Sequence, residues 1–117
     1  MADEDIRVNW RAVIDLGNGM RPVQGRLRKL AKNVLTVGVE RNLLRGHRCK
    51  LALMLPKLSP KQNDQFIEGS GVVVTSLLSA EFSSEQFLIT LEWERLSMND
   101  EERLNERIRA HQAVWKR

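Results

Sequence analysis

The chain has one cysteine, Cys49, and no tyrosine among its 117 residues. A single cysteine excludes an internal disulfide and leaves no second thiolate for a metal cluster, and its place in an alternating segment predicts a buried core residue. Aromatic residues make up only 5% of the chain. Because proteins that bind single-stranded nucleic acid usually stack bases on aromatic side chains, this composition disfavours a small nucleic-acid-binding barrel.

Long hydrophobic runs are also absent. The densest apolar run covers residues 51–55, whereas a bilayer-spanning helix needs about 20 apolar residues. Residues 1–5 are acidic, where a secretory signal would be basic, and no apolar stretch of signal length follows them. We therefore expect a cytoplasmic protein without membrane insertion.

Patterns that would support covalent catalysis are missing as well. His47 lies in a Gly-His-Arg turn and His111 near the end of the chain, and neither has a neighbouring ligand at metal-binding spacing. The sequence shows no nucleophile paired with a base and no paired carboxylates of the kind that catalysis requires. We therefore predict that the chain is not an enzyme and needs no metal or cofactor.

The composition that is present indicates one folded domain with a basic surface. Apolar residues make up 42% and charged residues 29%, and 117 residues suit a single domain. The net charge is +4 and the sequence pI is about 9.7, which favours an anionic partner through long-range steering. Nucleic acid, a phosphorylated small molecule and an acidic protein surface satisfy this charge equally well.

Most of the chain alternates with the period of β-strands. Residues 11–16 predict a half-buried strand, and Gly17, Asn18 and Gly19 then predict a hairpin turn. Residues 23–30 begin with a period of two that slips near Arg28, which predicts a bulge or strand end there. Further strands are expected within residues 33–39, 49–55, 71–75 and 87–93, with Pro56 ending the fourth.

The period changes to that of a helix at the end of the chain. Leu104, Ile108, His111 and Trp115 recur at spacings of three and four, and Asn99 with Glu102 has the form of a capping box. Several short strands followed by one helix predict a mainly β fold, an antiparallel barrel of about six strands with a C-terminal α-helix, because closure removes exposed strand edges.

Six basic residues that fall in the first third of the chain are of interest, because some of them must share a surface. They are Arg7, Arg11, Arg26, Arg28, Lys29 and Lys32. The planar fork of arginine matches phosphate oxygens and the O6/N7 edge of guanine, so a guanine nucleotide would suit such a surface.

The spacing Arg-x-x-x-Arg occurs three times, at Arg7/Arg11, Arg41/Arg45 and Arg103/Arg107. The pair Arg103/Arg107 lies among glutamates on the predicted helix and is expected on a solvated face. The pair Arg7/Arg11 lies immediately before the first predicted strand, in a stretch that we interpret as a flexible arm able to fold over the mouth of a barrel.

With these motifs the chain resembles a PilZ domain, the bacterial receptor module for cyclic di-GMP. That family carries Arg-x-x-x-Arg just before its first strand and Asp/Asn-x-Ser-x-x-Gly some twenty residues later. Residues 7–11 match the first motif, and residues 33–38 match the second at its ends, with Leu35 in place of serine. The resemblance continues through residues 44–56, the strands near residues 72–75 and 88–93, and the closing helix.

The resemblance implies one PilZ-like domain over residues 1–117, with a flexible arm at 1–10, the barrel at 11–96 and the helix at 99–116. It implies that Arg7 and Arg11 clamp phosphate and guanine, that Asn33 bonds a guanine edge and that Gly38 allows a backbone turn. Leu35 would face the ligand, so Leu35→Ser would strengthen binding.

The resemblance also implies a function. The chain would bind cyclic di-GMP and relay the signal to an unidentified protein effector. Since Leu35 replaces the family's serine, the first alternative is a PilZ-like adaptor that binds no nucleotide and acts through protein contacts. The second alternative is the small nucleic-acid-binding barrel.

Overall fold

The computed structural model describes residues 6–31, 33–57, 59–61, 65–82 and 85–115. Its strands are β1 (Ile6–Asp15), β2 (Val23–Leu30), β3 (Val34–Val39), β4 (Arg48–Leu55), β5 (Gln65–Phe82) and β6 (Glu85–Leu96), followed by the helix α1 (Met98–Trp115). The strands pair antiparallel in the order β1-β2-β3-β6-β5-β4 and close into a barrel through β4 and β1. The predicted fold class is confirmed.

The core fills the inside of the barrel because each strand alternates between inward and outward side chains. In β1, Trp10, Ala12 and Ile14 point inward and are buried. Cys49 is also buried, as its alternating position predicted, at 6% exposure. The largest fully buried side chains come from all six strands: Ile14, Leu27, Leu30, Leu35, Leu51, Leu53, Ile67, Ile89, Leu91, Val37, Val39 and Val73.

The hairpin between β1 and β2 follows the predicted turn chemistry. Gly17, Asn18 and Gly19 all have positive φ angles, of 72°, 55° and 75°. The Asp15 carboxylate accepts a hydrogen bond from the Gly17 amide at 2.9 Å, which fixes the start of the turn. The expected slip near Arg28 is also present, because the β2–β3 register shifts between Leu27 and Lys29.

Strands β5 and β6 are longer than the sequence pattern indicated. The segments 71–75 and 87–93 lie inside strands of 18 and 12 residues. Gly69 in β5 has a packing reason: a Cβ there would lie 2.5 Å from the Arg95 carbonyl oxygen and 2.7 Å from Cζ3 of Trp93. The indole of Trp93 therefore occupies space that a side chain at position 69 would need.

The helix begins one residue earlier than predicted, and Ser97 caps it instead of Asn99. The Ser97 hydroxyl accepts a hydrogen bond from the Asp100 amide at 3.1 Å, and the Ser97 carbonyl accepts one from the Glu101 amide at 2.8 Å. Leu104 is buried against the barrel and Ile108 packs on the core. The side chain of Trp115 and residue 116 lie outside the described part of the chain.

The predicted solvated face at Arg103/Arg107 is wrong for Arg107. Arg107 is only 2% exposed, because it lies on the same face of the helix as Leu104 and Ile108. Its Nε donates to the Pro56 carbonyl at 2.9 Å, and its Nη2 donates to Oε1 of Gln65 at 2.7 Å. Arg107 therefore ties the helix to the end of β4 and the start of β5.

The predicted flexible arm at residues 1–10 is corrected from Ile6 onward, where β1 begins; residues 1–5 lie outside the described chain. The hydrophobic residues Ile6 and Val8 pack partly against the core, so burial of apolar surface supports the longer strand.

Within the described residues, α1 lacks the length and apolar character needed to cross a bilayer.

Candidate anion-binding face

Arg7 and Arg11 lie in β1 with exposed side chains on the outside of the barrel. Each faces a basic residue on β2: Arg7 is the Cα partner of Lys29, and Arg11 is the Cα partner of Arg26. We call these four outward side chains the basic face. The expectation that basic residues of the first third share a surface is confirmed for them, while Lys32 lies outside the described residues.

This pairing has an electrostatic cost. Side chains directly opposite each other on antiparallel strands have Cβ atoms about 4.5 to 5.5 Å apart, and like charges at that distance destabilise the pair. Among the described residues, no carboxylate forms an ion pair with Arg7, Arg11, Arg26 or Lys29. A bound anion would relieve the repulsion, so this face favours an anionic ligand.

The spacing of the two β1 arginines suits a ligand with more than one anionic group. Arg7 and Arg11 are four residues apart on one strand, which corresponds to about 13 Å at roughly 3.3 Å per residue. One phosphate cannot contact both positions at that separation unless the long side chains converge on it. A ligand with two separate phosphates can contact both directly.

On β3 and β6, the positions in register with the basic face are uncharged. From Lys29 the register leads to Thr36 on β3 and Thr90 on β6, and from Arg26 it leads to Gly38 and Leu88. Gly38 has no side chain, is buried, and is the Cα partner of Arg26. It lies in the middle of β3 and not in a turn, so the predicted turn role of Gly38 is wrong.

Asn33 lies where the chain passes from β2 to β3, at the end of the barrel nearest Arg7. The Asn33 side chain is exposed, while its backbone carbonyl accepts a hydrogen bond from the Trp93 amide at 3.0 Å. The turn is closed by the Ala31 amide, which donates to the Val34 carbonyl at 2.9 Å. The structure thus brings Arg7, Lys29 and Asn33 to one end of the barrel.

Leu35 does not belong to this surface. It is 0% exposed and lies in the core, opposite Leu30 on β2 and Leu91 on β6. The expectation that Leu35 faces the ligand is wrong, because the strand period turns positions 35, 37 and 39 inward. The register assigned to the second motif is therefore wrong as well.

Arg11 and Arg26 also line a groove of about 530 Å³ on the outside of the barrel, which continues over Met54 and Phe66. Met54 and Phe66 are Cα partners on β4 and β5, and they are 40% and 53% exposed. One carboxylate, Glu40, lines the groove too. Sequence reasoning missed Met54 and Phe66. Phe66 could have been noticed because it lies two residues before Glu68, so an aromatic side chain shares the face of a strand with a charged one.

A larger groove of about 880 Å³ lies against β1, β4, β5 and β6 near the start of the helix. Its charged lining residues have both signs: Asp15, Lys50, Glu68, Glu94 and Arg95. Since the charges oppose one another, this groove favours an anion less than the basic face does, although it is bigger. No cluster of three or more potential metal ligands occurs among the described residues.

Cys49 and His47 lie away from the basic face and have structural surroundings. Burial, with smaller contributions from Asp15 and Glu94, raises the pKa of the Cys49 thiol to about 11. Its Sγ lies 3.7 Å from the Gly71 carbonyl. Nε2 of His47 lies 3.3 Å from the Leu16 carbonyl, so this ring holds the turn that precedes β4.

Comparison with known proteins shows that the fold of this chain occurs in solved structures. The chain resembles the solved structure of the Bacillus subtilis inhibitor of motility MotI/DgrA, with a TM-score of 0.73 and 16% sequence identity. The two share a fold. The match covers 97% of this chain and 52% of that one, so this chain spans about half of its length. No protein-family model matches the chain, and no curated protein matches it.

Proposed function

We propose that this chain is a non-enzymatic receptor that binds cyclic di-GMP on the basic face and relays the signal to a protein partner. The observation that carries the proposal is the placement of Arg7 opposite Lys29 and of Arg11 opposite Arg26 on one exposed surface. Like-charged pairs on an open face are unfavourable without an anion, and cyclic di-GMP presents two phosphates together with two guanines.

The basic face offers suitable contacts to both the phosphates and the guanines of the ligand. Guanidinium groups of Arg7 and Arg11 form bidentate hydrogen bonds with phosphate or with the guanine O6/N7 edge, and their flat faces stack on purines. Asn33, at the Arg7 end, offers an exposed amide to a guanine edge. Leu35 and Gly38 make no such contact in this proposal, because one is in the core and the other has no side chain.

The fold supports a regulatory module over an enzyme. The structural neighbour MotI/DgrA is named as an inhibitor of motility, a regulatory role, and its likeness extends over nearly all of this chain. The protein partner of this chain is unidentified.

Calorimetric titration with cyclic di-GMP tests the proposal, with GMP and a short single-stranded DNA as comparison ligands. We expect saturable binding of cyclic di-GMP. Arg7→Ala or Arg11→Ala should each cost about 1 to 3 kcal/mol, which is about 5-fold to 150-fold in affinity. Lysine at either position should not restore binding, because it has neither the fork nor the flat face.

Arg41→Ala and Arg45→Ala are the matched controls. These residues have the same spacing and are exposed in the loop between β3 and β4, whereas Arg107 is buried and unsuitable. Both controls should leave the affinity nearly unchanged. Equal small losses in all four alanine variants would mean that only net charge matters, and the specific nucleotide site would be abandoned.

A second candidate is an adaptor that binds no nucleotide and acts through protein contacts. Two observations favour it: Leu35 is in the core, so the second motif does not form, and Leu77 and Leu78 on β5 are 63% and 78% exposed. A flat titration of the folded protein at high micromolar cyclic di-GMP would select this candidate over the receptor.

A further inference from the structure

The groove beside the basic face combines two guanidinium groups with an exposed aromatic ring. Ala12 pairs with Leu53, so Arg11 on β1 and Met54 on β4 are the next positions along their two strands. Arg11 pairs with Arg26 on one side, and Met54 pairs with Phe66 on the other. An outward row therefore runs from Phe66 through Met54 and Arg11 to Arg26.

The row is short enough for one nucleotide. Neighbouring strands lie about 4.8 Å apart, so Phe66 is roughly 10 Å from Arg11 and roughly 14 Å from Arg26 between backbones. The residues at both ends line the same groove of about 530 Å³. A purine on Phe66 can thus be joined through its sugar to a phosphate at Arg11 and Arg26.

Two apolar side chains in this row are exposed beside the charged ones. Phe66 and Met54 are 53% and 40% exposed, directly opposite each other on adjacent strands. A phenyl ring presents a flat apolar face, and a thioether makes favourable contacts with aromatic rings. Arginine adds a cation that also stacks on purines. Against two guanidinium groups, the described residues that line the groove include a single carboxylate, Glu40.

We infer that this groove is a base-binding subsite, in which Phe66 and Met54 hold the purine ring of a nucleotide whose phosphate contacts Arg11 and Arg26. The inference rests on the proposed function and deepens it, since it assigns one guanine of the ligand to a place outside the motif residues. It makes Phe66 a determinant of specificity for ligands that contain a base.

Titration of Phe66→Ala with cyclic di-GMP and with GMP tests the subsite. Loss of a stacking ring should weaken binding of either nucleotide by about 5-fold or more, since aromatic truncation costs roughly 1 to 3 kcal/mol per stacked base. Phe66→Trp should retain affinity, because it keeps a flat ring. Leu77→Ala is the matched control, an exposed apolar residue on the same strand, and should bind like the unmodified chain.

An NMR signal from the Phe66 ring distinguishes direct stacking of a base from an indirect effect of the substitution on binding. The chain has three phenylalanines, so fluorophenylalanine labelling gives three ¹⁹F resonances, and the one missing in Phe66→Leu belongs to Phe66. Cyclic di-GMP and GMP should shift that resonance through the ring current of the stacked base. Inorganic pyrophosphate, which has phosphates and no base, should leave it in place.

The outcomes distinguish the subsite from the proposed function. Binding of cyclic di-GMP that depends on Arg11 but not on Phe66 would overturn the subsite and leave the receptor standing. Binding of GMP through Phe66 without binding of cyclic di-GMP would support the subsite and overturn the receptor. A resonance of Phe66 that no nucleotide moves, with a flat titration for both ligands, would overturn both.

Discussion

Leu35 shows most sharply how one side chain can belong to the core instead of the ligand site. It is fully buried between Leu30 and Leu91, so Leu35→Ser removes leucine contacts and buries a hydroxyl group. We expect the variant to lose about 2 to 5 kcal/mol of unfolding free energy without gaining affinity for cyclic di-GMP. Urea unfolding and titration measure the two effects.

Leu44→Ser is the control for this substitution, because Leu44 is 73% exposed and should tolerate serine with little loss. If Leu35→Ser instead kept the unfolding free energy and tightened binding, Leu35 would face the ligand and the core assignment would fail.

Cys49 gives a prediction with a defined pH window. Burial, and then the charges of Asp15 and Glu94, raise the thiol pKa from 9.0 to about 11. Between these values the unfolded chain releases the proton while the folded chain keeps it, so the unfolding free energy falls as pH rises from 9 to 11. Urea unfolding at pH 8 and pH 10.5 should show a larger decrease for the unmodified chain than for Cys49→Ala.

The same burial makes the thiol unreactive. A thiol-modifying reagent at pH 8 should react with Cys49 only after denaturation, because the thiolate is the nucleophile and the folded state suppresses it. Rapid modification of the native protein would contradict the burial of Cys49.

At the scale of elements, the start of α1 depends on one serine. Ser97 accepts the Asp100 amide hydrogen bond, so Ser97→Ala should cost about 1 kcal/mol of unfolding free energy. Asn99 is exposed and lies inside the first turn, so Asn99→Ala should cost little. Thermal unfolding of the two variants compares the caps, and a larger loss for Asn99→Ala would restore the capping box expected from the sequence.

The ends of the strands illustrate what a local pattern leaves out. The core of β5 near residues 71–75 is recognisable from its β-branched residues, but its extension to Gln65 depends on pairing with Leu55 at the end of β4. Gly69 weakens the local pattern and is nevertheless required, because the Arg95 carbonyl and the Trp93 ring of the neighbouring strand occupy the space of a side chain there. The extent of β5 and its glycine at position 69 therefore both depend on neighbouring strands.

At the scale of the whole molecule, charge predicts how binding responds to salt. The chain carries a net charge of +4, and the basic face places four of its cations on two adjacent strands. Raising sodium chloride from about 0.05 M to about 0.5 M should weaken binding of cyclic di-GMP, mainly by slowing association, because salt screens long-range steering. Stopped-flow measurements give the association and dissociation rates separately.

Two alanine variants separate the effect of long-range charge on association from the effect of a direct contact with the ligand. Arg45→Ala, in the loop between β3 and β4 and outside the basic face, should slow association only slightly and leave the dissociation rate unchanged. Arg11→Ala should also speed dissociation at every salt concentration, since it removes a direct contact. Salt-independent association for the unmodified chain would contradict an electrostatic role for the basic face.

Much of this protein could be predicted from its sequence because the information is local. The alternation of residues 11–16, the Gly17-Asn18-Gly19 turn and the slip near Arg28 each depend on neighbours along the chain, and the structure confirms all three. Arg7 and Arg11 could be recognised as a pair from their spacing, although their place on one face of β1 was not predicted, because residues 1–10 were interpreted as a flexible arm. The barrel and its terminal helix follow from the number and order of such segments.

Only the tertiary structure decided which faces meet. Arg26 and Lys29 became part of the candidate site through their register with β1, and Phe66 and Met54 reached the same groove through the closure of β4 on β1. Leu35 and Arg107 turned inward because the barrel and the helix bury those faces, although their motifs suggested exposure. Pairing between distant strands is set by the packing of the whole core, so the spacing of residues within one segment cannot specify it.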